Sequence, residues 1–117
     1  MASYLSRITE LLRFCDSDER ELIENMLSDC AEYVLAVNKH IRTKNNFLGR
    51  EQDSYRAAVT EADSSRTIYH NSLISSVDIV NRIFAFHQLP PIYTGGPVRR
   101  NYGDFALEVV TELFAAR

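Results

Sequence analysis

Apolar residues recur at steps of three and four along most of the chain, the period of one helix face and not the alternation of a strand. Leu5, Ile8, Leu11 and Leu12 open the pattern and Phe14 extends it. With Ser3 as N-cap, they predict a short amphipathic helix over residues 3–14. Asp16 and Glu19 then stand at capping-box spacing, so a second helix begins there. Its stripe is Ile23, Met26, Leu27, Cys30, Tyr33, Val34, Val37 and Ile41, which predicts a helix over about residues 18–43. Leu35 and Ala36 widen that face near its end. Acidic residues come early in this segment and Lys39, His40, Arg42 and Lys44 come late, the order that a helix dipole favours.

The third stripe is the longest. Tyr55, Val59, Ala62, Tyr69, Leu73, Val77, Val80 and Phe84 lie along one line of a helix over about residues 51–87. Such a helix is roughly 54 Å long, whereas a compact domain of this size has a radius of gyration of about 13 Å. Either the bundle is elongated or the helix breaks at Asp63-Ser64-Ser65. With no Gly or Pro there, continuity is favoured. Residues 88–100 hold all three prolines and read as a loop. A last helix is predicted over about residues 102–116, with Asn101 as N-cap and Asp104 in its first turn.

The pattern therefore predicts an all-α, elongated, up-and-down four-helix bundle with two long central helices, in a single domain over residues 1–117. The short outer helices cannot cover both long ones. Apolar surface left open in this way is usually closed by a partner, so a homodimer is expected.

Composition narrows this picture only a little. The 117 residues are 45% hydrophobic and 25% charged, an ordinary globular balance. A net charge of −3 gives no general attraction to nucleic acid. No apolar run approaches the ~20 residues of a membrane span. The first seven residues lack the apolar core of a signal peptide, so a cytoplasmic location is expected. Cys15 and Cys30 lack metal-type spacing and read as free thiols of a reducing compartment. No metal and no cofactor is expected: there is no Glu-x-x-His pair, phosphate loop or dinucleotide fingerprint.

Two features stand out chemically. Arg66 falls in the middle of the third apolar line, with Asp63 and His70 on one flank. A buried guanidinium keeps its charge and needs a fixed acceptor, and Asp63 is one turn away. The expected arrangement is an internal pair of Arg66 with Asp63 or another carboxylate. An alternative lays the stem on the core and the head in water. In a third reading Arg66 and His70 line a cleft, where imidazole acts as acid or base beside an anion-stabilising cation. In residue type this segment is similar to HEPN-type helical ribonucleases, which use an Arg and a His on one helix. Their spacing has four or more intervening residues, and Arg66 and His70 have three. The second feature is Arg99-Arg100, placed just before the last helix, where two cations oppose the dipole unless an anion sits with them.

The run Arg66-x-x-x-His70-Asn71-x-Leu73-Ile74-x-x-Val77-x-x-Val80-Asn81-Arg82 resembles a family of short bacterial helical proteins of unknown function. The resemblance implies an all-helical cytoplasmic domain and no assigned activity. The chain thus reads as a non-enzymatic interaction or regulatory module, self-associating or binding a protein partner. A metal-independent ribonuclease using Arg66 and His70 is one alternative. An anion or nucleotide binder at Arg99 and Arg100 is another.

Overall fold

The computed structural model describes residues 3–46, 52–95 and 99–115; the side chains of residues 44, 46, 52–55 and 99–101 lie outside the description. Four helices follow in order: α1 (Tyr4–Leu12), α2 (Ser17–Asn46), α3 (Gln52–Phe86) and α4 (Arg99–Ala115). No strand occurs among the described residues. The molecule is an elongated up-and-down bundle of 54 × 27 × 25 Å, with a radius of gyration of 16.5 Å. Its length is the length of α3, which is continuous through Asp63-Ser64-Ser65.

Local chemistry sets the helix starts. The Ser3 hydroxyl accepts from the Ser6 N–H at 3.1 Å, the N-cap geometry expected of it. Asp16 and Glu19 form a reciprocal capping box: the Glu19 N–H donates to Asp16 Oδ1 (2.8 Å) and the Asp16 N–H to Glu19 Oε1 (3.2 Å). From α4, Glu112 Oε2 accepts the Leu5 N–H at 2.8 Å and sets a carboxylate on the positive end of α1.

Helix α3 ends in a Schellman turn. Leu89 N–H reaches Phe84 O (2.8 Å), Gln88 N–H reaches Ala85 O (3.0 Å), and Gln88 takes a positive φ of 62°. The loop that follows is tied down from two sides. Asn81 Oδ1 accepts from Ile92 N (2.9 Å) and Tyr93 N (3.4 Å), and its amide donates to Tyr93 O (2.9 Å). The Arg7 guanidinium donates to Pro90 O (2.9 Å) and Pro91 O (3.0 Å). Tyr93 then stacks on Phe105 with ring centroids 4.6 Å apart. A Cβ on Gly95 would come within 2.8 Å of both the Tyr93 and Tyr102 rings, so only glycine passes there.

One core runs through this end of the bundle. Ile8 and Leu11 of α1, Ile23, Met26 and Cys30 of α2, Leu73, Val77 and Val80 of α3, and Ala106 and Val109 of α4 are fully buried. A Ser76 hydroxyl bond to the Asp29 carboxylate clips α2 to α3. Helix α4 lies mainly on α2, with smaller contacts to α1 and α3.

Three expectations from the pattern need correction. Phe14 does not extend the α1 stripe: the helix tightens at its end, with Arg13 and Phe14 N–H on the Glu10 and Leu11 carbonyls, and Phe14 swings out to 68% exposure. Leu35 does not widen the core face as Ala36 does; it is exposed while Ala36 is buried. Helix α4 begins at Arg99, not near residue 102, so Asn101 lies inside it and Asp104 is past its first turn.

Candidate functional site

Arg66 and Asp63 form the expected pair one turn apart on α3, Arg66 Nη2 to Asp63 Oδ1 at 2.6 Å. The wheel reading that buries the guanidinium is corrected: the two side chains are 41% and 49% exposed. Arg66 borders an open groove beside Asn38, Asp104 and Leu107, and the long stem carries the charge outward while Arg66 Nε stays buried without a hydrogen bond. A half-exposed ion pair of this kind adds at most about 1 kcal/mol.

His70 is placed differently. It is 4% exposed, and neither ring nitrogen has a hydrogen-bond partner. Its ring lies between two tyrosines, with centroids 5.5 Å from Tyr33 and 6.1 Å from Tyr102. Arg66, Thr67, His70 and Tyr33 enclose a space of about 50 Å³. Arg66 and Tyr33 also border a larger groove of about 460 Å³ between α2, α3 and α4, where Val34, Val37 and Leu107 supply the walls and Asn38 and Asp104 the polar rim. The structure thus brings Arg66 and His70 together, but only Arg66 reaches solvent. A general acid or base must come within hydrogen-bond reach of its substrate. A 50 Å³ space beside a 4% exposed imidazole admits a water-sized group and no nucleotide.

Arg99 and Arg100 open α4 instead of preceding it. Their side chains lie outside the described residues, so the anion site expected there has no geometry to report.

A second polar cluster escaped the sequence reading. At the opposite end of α3, His87 Nε2 lies 2.9 Å from Glu19 Oε2, and Cys15 completes a group whose donor atoms all lie within 4.8 Å. Burial, followed by the Glu19 and Asp16 carboxylates, pushes the Cys15 thiol up against the opposing pull of Arg20. The spacing Cys15-x-x-x-Glu19 was visible, but His87 comes from 68 residues further along. Cys30 behaves as the core residue expected of it: burial, with a contribution from Asp29, pushes its thiol up to about 12.

No helix among the described residues is long and apolar enough to cross a membrane. A family model described as "Protein of unknown function (DUF3232)" matches residues 2–117, and the chain belongs to that family. No curated protein and no solved structure matches it.

Proposed function

We propose that this member of the family is a non-enzymatic interaction module of the cytoplasm that acts as a homodimer, with the outer arm of the α2–α3 hairpin as its contact surface. The observation that carries this reading is the fading of burial along one continuous stripe. On α2, Ile23, Met26 and Cys30 are 0% exposed, Tyr33 is 5% exposed and Ile41 is 50% exposed. On α3, Leu73 and Val77 are fully buried, while Ala58 and Val59 are half-buried. The groove at Val34, Val37 and Leu107 continues this open strip toward the covered end.

Charge favours a second copy as the occupant. Residues 38–46 of α2 carry Lys39, Arg42 and Lys44 and no acidic residue. Along residues 52–66 of α3, Asp53, Glu61 and Asp63 stand against Arg56 and Arg66, the last paired with Asp63. A two-fold axis that sets α2 of one protomer beside α3 of its partner pairs the basic edge with the acidic one twice. The free thiols Cys15 and Cys30 suit a reducing compartment. The nuclease reading draws no support from His70, whose nitrogens are closed off from substrate.

Sedimentation equilibrium at low micromolar chain concentration is the direct test. A dimer is expected, converted to monomer by Ile41→Glu with the helical circular dichroism unchanged. A parent chain that sediments as a monomer overturns the proposal.

A further inference from the structure

Cys15, Glu19 and His87 come from three separate places in the fold. Cys15 lies just beyond α1, Glu19 is the third residue of α2, and His87 directly follows α3. One thiol sulfur, one carboxylate oxygen and one imidazole nitrogen lie within 4.8 Å of one another. We propose that they form a binding site for one zinc-class divalent cation, with a water in the fourth position.

The donor set selects the metal class. Sulfur, nitrogen and a single oxygen suit a borderline-soft ion in a tetrahedral site, and are wrong for calcium or magnesium, which take oxygen ligands. Three protein ligands and one open position match the partial burial: the His87 and Glu19 side chains keep 19% and 21% of their exposure. Tetrahedral bonds of zinc length set neighbouring donors roughly 3.3–3.7 Å apart. His87 Nε2 and Glu19 Oε2, now 2.9 Å apart, need only a small opening to admit the ion.

The surroundings orient these ligands. Glu19 Oε1 is held by the Asp16 N–H, which fixes the carboxylate and leaves Oε2 turned to His87. The Cys15 Sγ points back along α1 and donates to Leu11 O at 3.3 Å. Arg20, the cation of this corner, is turned onto the Leu12 and Cys15 carbonyls at 3.0 and 3.4 Å and so caps α1. Binding exchanges the thiol proton for a sulfur–metal bond, and the proton leaves to solvent. One thiolate and one carboxylate then neutralise the dication, as a half-buried site requires. The bound ion ties the end of α1, the start of α2 and the end of α3 together.

Cobalt(II) titrated into the reduced full-length chain tests this optically. One equivalent is expected to give a thiolate-to-cobalt charge-transfer band, and zinc is expected to raise the Tm. Cys15→Ser keeps the size and the hydrogen bond to Leu11 O, Glu19→Gln keeps the acceptor for Asp16, and His87→Gln removes the imidazole. Each is expected to weaken zinc at least tenfold with helicity intact. No band in the folded parent, or a band that survives Cys15→Ser, overturns the site. Should a variant unfold, cadmium-113 resonance of the parent decides: a sulfur-ligated shift supports the site, and an oxygen-and-nitrogen shift overturns it.

Discussion

The two ends of the hairpin carry the same kind of stripe and meet different fates. At the end holding α1, α4 and the 88–95 loop, the α2 and α3 apolar lines are covered from two further sides, and Phe84, Leu73 and Met26 are at most 1% exposed. Along the arm, Ile41 of α2 is half exposed and Ala58 and Val59 of α3 are only partly buried. Periodicity states which face of a helix is apolar. It does not state how many neighbours that face will have, because coverage depends on the lengths and positions of other helices. α1 with 9 residues and α4 with 17 reach only part of the way along partners of 30 and 35.

The strongest way to sharpen this contrast is a matched truncation. Phe84→Ala at the covered end is expected to cost about 3–5 kcal/mol, a buried aromatic replaced by a cavity. Val59→Ala on the arm is expected to cost about 1 kcal/mol, since it removes two methyl groups from a site that is only partly buried. Urea unfolding of both variants at one fixed chain concentration checks the pair. Equal losses would break the comparison.

Alkaline pH probes the covered core next. The Cys30 thiol is held up to about 12 in the fold, against about 8.5 in the unfolded chain. A raised folded value means stability is complete below the unfolded value and falls as pH rises toward the folded one. Between about pH 9 and 12 this group alone removes roughly 1.4 kcal/mol per pH unit. Cys30→Ala is expected to lose that share of the slope while costing some stability at pH 7. Cys15, Tyr4 and Tyr93, all also pushed up, first by burial, add to the alkaline loss.

The smallest expected effect lies at the boundary between the two ends, at His70. Its nitrogens have no hydrogen-bond partner, so an apolar side chain of similar size loses no hydrogen bond there. His70→Leu is expected to leave stability unchanged or raise it by up to about 1 kcal/mol, read by thermal unfolding. A loss above about 2 kcal/mol would mean that the imidazole makes an interaction beyond its ring contacts.

Much of the fold was legible because helix chemistry is local. Ser3, the Asp16–Glu19 box and the unbroken α3 depend on residues three or four apart, and all appear as read. The Arg66–Asp63 pair was legible for the same reason. Its exposure was legible only as an alternative, the stem on the core and the head in water, because a wheel does not say whether a neighbouring helix covers position 66. The start of α4 was misjudged because Asn101 looked like a cap, and a cap residue has the same composition whether it stands before a helix or inside one. The role of Asn81 was also hidden. Its partners Ile92 and Tyr93 come from a loop whose path no periodicity describes.

By itself the sequence determined four helices, most of their apolar faces and the caps of α1 and α2, since each rests on interactions within a turn or two of chain. Tertiary structure alone decided which stretch of stripe is covered, that Arg66 faces water while His70 does not, and that Cys15, Glu19 and His87 meet. The reason is geometric. Burial and ligand clusters depend on which helix ends fall side by side, and that follows from the lengths and packing of all four helices together.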